Sequence, residues 1–267
     1  MNPSPSHKAA PSSGQPPPQY YTSLEPFAGA FTQGLPMLTY HKLGPRPARV
    51  RLKGLYVGEA LFRRQMRELM QAGYQSVLPA DVAGARSQES RRIAITFDDG
   101  FENVLRHGLE PLREARFHAI QFLVPGRIGG SNAWEEAEGE ATERLMDASQ
   151  IREWLAAGHS IGAHTCTHPH LTRIPLAEAR EEIRSSRLQL EDLFRVPVRD
   201  FCYPYGDYNP AVRDLVEEAG FTTACTTEAG VNRSGSDRLQ LRRFTARYAS
   251  RNWKNLLRWF RSTARRS

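Results

Sequence analysis

The chain has 267 residues, 40% hydrophobic and 24% charged, a balance that suits a soluble globular protein and leaves room for one barrel-sized domain of roughly 200–250 residues. No stretch reaches the roughly 18 uninterrupted apolar residues of a membrane span, and three cysteines (Cys166, Cys202, Cys225) are too few and too odd for a disulfide framework. The net charge of +7 is uneven: ten Lys or Arg and no acid occur from Arg238 onward. The remainder is therefore slightly acidic, and the basic end suits an acidic partner such as a lipid headgroup, a polyprenyl phosphate or an anionic glycan. Nucleic acid has only the charge in its favour, with no recognisable module.

Residues 1–35 are rich in Pro, Ser, Gly and Gln and read as a disordered arm. The start has no apolar core behind a basic segment, so it does not read as a secretory signal, and the expected location is the cytoplasm, free or at a membrane surface, unless a signal has been lost from this sequence. Order is expected from Leu35. A strand over 36–40 runs into His41, helical spacing follows over 61–70, and a strand over 93–97 ends at Asp98-Asp99. A helix over 101–115, a strand over 118–124 and a long loop over 126–147 come next. A helix at 149–157 leads to a strand over 160–163 that ends at His164. The helix at 176–194 precedes a strand over 200–203, a helix near 212–219, a strand over 221–224 and a last strand over 239–244. A basic amphipathic helix closes the chain at 250–264, with Trp253, Leu256, Leu257 and Phe260 on one face and Lys254, Arg258, Arg261 and Arg265 on another. Strands alternating with helices imply parallel strands in an α/β fold, and 36–267 reads as one domain.

The polar residues gather where strands finish: His41, Asp98, Asp99, His164 and Tyr205. In a barrel of parallel strands such ends share one rim, where active sites are built. His164 and His168, four residues apart, can meet one metal ion, and a carboxylate would complete the set; the competing reading of the pair alone is two surface histidines. Asp98-Asp99-Gly100 alone is as well explained by a turn. Taken together, two adjacent carboxylates are costly unless a cation neutralises one of them. The other is then available as a general base toward an attacking water.

These residues carry a resemblance. Thr96-Phe97-Asp98-Asp99-Gly100 and His164-Thr165-Cys166-Thr167-His168 resemble, in order and spacing, the first two motifs of the polysaccharide deacetylase family (carbohydrate esterase family 4, the NodB homology domain). Phe201-Cys202-Tyr203-Pro204-Tyr205-Gly206 is similar to its third motif. Leu38-Thr39-Tyr40-His41 resembles the Tyr-His opening of one branch. The resemblance implies a distorted (β/α) barrel and metal-dependent removal of an N-acetyl group from an amino sugar, the metal being zinc in most members. It implies Asp99, His164 and His168 as metal ligands, Asp98 as the general base and the backbone N–H of Tyr205 as an oxyanion donor. Trp134, Tyr203, Pro204 and Tyr205 are the expected substrate contacts.

The match has gaps. Many members carry Arg where this chain has Cys202, and no histidine follows His170 to serve as the family's late general acid. Arg243 is the candidate for the missing positive charge beside Asp98. His41 is the candidate acid, since imidazole can exchange a proton near neutral pH. His170 reads as a neighbour of the ligands, and the Cys166 side chain should point away from them. The leading function is N-deacetylation of a polysaccharide or a lipid-linked glycan precursor. Two others stand beside it: a deformylase or O-acyl esterase on such a precursor, and a catalytically inactive carbohydrate-binding relative.

Overall fold

The computed structural model describes residues 17–48, 50–84 and 91–248. The expected helix at 250–264 lies outside them. Eight parallel strands form the framework: β1 (Tyr20–Tyr21), β2 (Leu35–Tyr40), β3 (Arg92–Phe97), β4 (Ile120–Leu123), β5 (Ser160–Ala163), β6 (Asp200–Cys202), β7 (Thr223–Cys225) and β8 (Phe244–Ala246). Their spatial order is β1-β8-β2-β3-β4-β5-β6-β7. β2 and β3 read Leu-Pro-Met-Leu-Thr-Tyr and Arg-Ile-Ala-Ile-Thr-Phe and are buried almost throughout, as expected where helices cover a parallel sheet. The helices of two turns or more are α1 (Glu59–Gln71), α2 (Glu102–Ala115), α3 (Ala148–Ala156), α4 (Leu176–Phe194) and α5 (Pro210–Glu218). α3 starts on a capping box in which Asp147 accepts from the Ser149 and Gln150 N–H groups. α5 starts on Asn209, with Pro210 in the first turn.

Two differences from the sequence reading have physical causes. The last strand begins at Phe244, not at Leu239. The preceding segment instead hydrogen-bonds to the β7 edge, through Leu241 N–H to Ala224 O and Thr226 N–H to Leu241 O, both 2.8 Å. This segment draws the curled sheet toward closure, which makes the barrel distorted. Order also begins well before Leu35. Tyr20–Tyr21 pairs with Thr245–Ala246, and Tyr21, Phe27 and Phe31 are buried around Phe244, with ring centroids 5.2–5.9 Å apart. Three aromatic side chains supply apolar area that a composition average over 1–35 conceals.

The register sets the rim. Tyr40 pairs with Phe97, and the Asp98 N–H donates to Tyr40 O at 3.0 Å, so His41 and Asp98 leave neighbouring strands side by side. Leu123 pairs with Ala163 and Ala163 with Phe201, so His164 and Cys202 leave theirs together.

Candidate metal centre

Asp98 and Asp99 are adjacent in sequence, and both are buried. Their partners are separate. Asp99 Oδ1 lies 3.4 Å from His164 Nε2 and 3.3 Å from His168 Nε2. The three side chains each offer a donor atom, all within 4.8 Å of one another. His164 Nδ1 lies 2.6 Å from the Cys202 carbonyl oxygen. A carbonyl only accepts, so Nδ1 carries a proton, and Nε2 is the nitrogen turned toward Asp99 and available to a cation held there. His168 Nδ1 is buried with no hydrogen-bond partner among the described residues. Two imidazoles and one carboxylate, one imidazole fixed in the ligating tautomer, fit a borderline divalent cation such as zinc. Burial pushes the Asp99 carboxyl up, but the two imidazoles outweigh it and hold the group far below the usual carboxylate range.

Asp98 turns to Arg243. The guanidinium approaches both carboxylate oxygens, Nη1 to Oδ1 at 2.7 Å and Nη2 to Oδ2 at 2.8 Å, the bidentate geometry in which arginine recognises a carboxylate. Arg243 has almost no exposed surface and is held along its length. Nε donates to Thr226 O at 3.0 Å and Nη1 to Thr96 Oγ1 at 3.0 Å, while Nη2 lies 3.1 Å from Cys202 Sγ. Thr39 Oγ1 adds a longer contact to Asp98 Oδ2 at 3.3 Å. Burial raises the Asp98 carboxyl, yet the Arg243 charge prevails and keeps it below its ordinary value. His41 Nε2, half-buried on the open side, stands 3.7 Å from Asp98 Oδ2.

Four residues of the rim hold a positive φ without being glycine: Asp99 (76°), Thr165 (63°), His168 (70°) and Tyr205 (60°). Such conformations cost side-chain-bearing residues energy and gather at functional sites. The rings form a row: Trp134 stacks on His168 (4.5 Å between centroids), His168 meets Tyr205 edge-on (4.6 Å), and His170 stacks on Tyr205 (3.8 Å). Trp134 thus covers a candidate ligand with one face. Below it, the fully buried Lys42 ammonium meets Glu135 at 3.0 Å and lies over the Phe101 ring.

The expected site residues His41, Asp98, Asp99, Trp134, His164, His168, Tyr205 and Arg243 therefore come together. Tyr203 and Pro204 do not join them. Both are buried, the Tyr203 hydroxyl donates to Leu239 O at 3.0 Å, and its ring packs on Tyr208. The Tyr203 N–H bonds to Cys225 O, so the strand pairing continues one residue further and turns this side chain into the core. Cys166 points to Gln189 on α4 rather than to the ligands, and burial pushes its thiol up to about 12. Lys42, Thr39, Thr96 and Glu135 were not foreseen. Thr39 and Thr96 lie inside the motifs and Lys42 follows His41, but nothing local marks their side chains as partners of the site, and Glu135 lies in an acidic run.

Comparison with known proteins agrees with this geometry. The sequence profile of the polysaccharide deacetylase family matches residues 85–224. The YxkH protein of Bacillus subtilis strain 168 is 25% identical over 200 residues, covering 73% of this chain and 65% of that protein. The peptidoglycan-N-acetylglucosamine deacetylase PgdA of Listeria monocytogenes is 23% identical over 66% of this chain and 32% of its own length. The chain thus spans just under two thirds of the first relative and about a third of the second. Among solved structures, IcaB from Ammonifex degensii superposes with a TM-score of 0.69 at 25% identity, covering 85% of this chain and 96% of that one. The Streptococcus pyogenes deacetylase PplD, at 21% identity and a TM-score of 0.68, shares the fold. With the parallel barrel, the paired aspartates and the two histidines on one rim, the profile match establishes that this chain belongs to the polysaccharide deacetylase family.

Proposed function

We propose that the chain hydrolyses the N-acetyl group of an amino sugar in a glycan, with a divalent metal held by Asp99, His164 and His168. One observation carries the reading: two adjacent buried aspartates are committed to different partners, Asp99 to two imidazoles and Asp98 to a buried arginine. A metal bound at the first set would polarise the acetyl carbonyl and ease ionisation of the attacking water.

The remaining work falls to the chain's own groups. Asp98, kept ionised by Arg243, takes the proton from the water as it adds to the carbonyl carbon. Arg243 answers the absence of an arginine at Cys202: it reaches the same carboxylate from the position just before β8, two strands from β3 in the sheet, and this supports a working enzyme over an inactive binding relative. The backbone N–H of Tyr205 donates to the oxyanion as charge develops there. His41, 3.7 Å from Asp98, gives a proton to the departing amine, and the free amine and acetate result.

Relatives named for peptidoglycan and chitin deacetylation support a glycan substrate. Attachment of that glycan to a lipid phosphate rests on the charge of the segment beyond Tyr248 alone. Among the described residues no helix is long and apolar enough to cross a membrane. The test is acetate release from N-acetylated oligosaccharides, measured with and without a chelator and after zinc is restored. Release of formate instead, or of acetate from O-acetyl groups only, would move the reading to the second enzyme class. Release unaffected by chelation would sink the metal assignment.

A further inference from the structure

His164 and His168 sit in a loop that runs against its own backbone preferences, because Thr165 and His168 both occupy the left-handed region. Such a loop persists only where its surroundings over-determine it. Within the loop, the His168 N–H donates to Thr165 Oγ1 at 3.0 Å. From one side, the Gly126 N–H donates to Cys166 O at 3.0 Å, an approach so close that a Cβ at 126 would lie 2.5 Å from that oxygen.

The other side is held by one residue of α4. Glu182 Oε2 accepts from the Cys166 N–H at 2.8 Å and the Thr167 N–H at 2.9 Å, and its Oε1 accepts from the Thr167 hydroxyl at 2.7 Å. Two backbone donors and one side-chain donor at the loop apex thus converge on one carboxylate. The helix that carries it is anchored by Ala179, Ile183, Ser186 and Leu190 in the core, so the support is a rigid element rather than another loop.

We propose that Glu182 is the positioning residue of the metal loop, a strut that fixes the separation and orientation of His164 and His168. The inference rests on the metal-binding reading above. A carboxylate is suited to the place because it accepts at both oxygens and donates at neither. Glutamine keeps one strong acceptor and can turn its amide toward the Thr167 hydroxyl oxygen, so the geometry survives. Aspartate keeps the charge but falls short by one methylene, and alanine leaves all three donors without their partner.

The experiment uses the full chain stripped of metal, as wild type, Glu182→Ala, Glu182→Asp and Glu182→Gln. Zinc is titrated in competition with a chromophoric chelator, and melting of the metal-free proteins reports folding. Supporting groups of this kind alter metal affinity by about 10–100-fold. That loss is expected for Glu182→Ala and Glu182→Asp, with Glu182→Gln within a few-fold of wild type. Affinity equal to wild type in a folded Glu182→Ala or Glu182→Asp protein overturns the proposal. If Glu182→Ala does not fold, the comparison of Asp with Gln decides. Hydrogen exchange at the Cys166 and Thr167 amides of the metal-free protein reads the strut separately. Both should be protected in wild type and exchange faster in Glu182→Asp; equal rates overturn the strut. Absence of zinc binding by the wild type would overturn the metal reading instead, leaving the exchange rates to judge Glu182.

Discussion

Two buried carboxylates at opposite ends of the strands behave in opposite ways. Asp98, at the carboxyl end of β3, is 3% exposed, and Asp200, at the start of β6, is 7% exposed. Asp98 has the Arg243 guanidinium on both oxygens and stays below its ordinary pKa. Asp200 accepts the Thr223 hydroxyl and has no ion pair among the described residues, so burial pushes its carboxyl up to about 6. Burial alone thus drives a carboxyl toward its neutral, inert form, and a base buried at a rim needs a dedicated cation.

Removing the base itself should have the largest effect. Asp98→Asn keeps the shape but cannot take a proton, and turnover of an N-acetylated oligosaccharide should fall by about 10³–10⁴-fold. Replacing the cation comes next. Arg243→Met leaves Asp98 buried without its counter-charge, at a cost of about 3–5 kcal/mol in denaturant unfolding at pH 7, with turnover lower by about 10²-fold as the base loses its alignment. Full activity in Arg243→Met beside an inactive Asp98→Asn would break the comparison, since the arginine would then be mere packing. His41→Ala should lower turnover by about 10²-fold while metal content is kept, and unchanged turnover would remove His41 from the chemistry.

The smallest effect lies at the other carboxylate. A group whose folded pKa is raised contributes stability that is present below its unfolded value of about 3.9 and is lost as pH rises through the folded value of about 6. At pH 8 Asp200 therefore weighs against folding. Asp200→Asn should be more stable than wild type there by about 2 kcal/mol, with the advantage shrinking toward pH 4. An advantage that is independent of pH would contradict the assignment.

The ligand side of the site was legible because it is local. Asp99 ends one strand, His164 ends another, and His168 follows within the same loop, so strand pattern and short motifs suffice. The base side is assembled over 145 positions of chain, from Asp98 to Arg243. The sequence could show only that a cation was missing at Cys202 and that a suitable arginine lay in the last strand region. Glu182 was illegible because the helix over 176–194 is crowded with Glu and Arg, and nothing in that run marks the one carboxylate that turns to the loop. Tyr203 and Pro204 were misplaced because a motif conveys proximity in sequence but not which face of the strand a side chain takes. Tyr21, Phe27 and Phe31 were lost in the average composition of the first 35 residues, although three aromatics are enough to extend the core around Phe244.

The division of labour between the two aspartates is tested most directly by measuring metal content and acetate release together in Asp98→Asn and Asp99→Asn. The expected result is stoichiometric metal without turnover for Asp98→Asn, and loss of both for Asp99→Asn. Loss of metal from Asp98→Asn, or retention of metal by Asp99→Asn, would contradict the assignment of one carboxylate to the cation and the other to the proton.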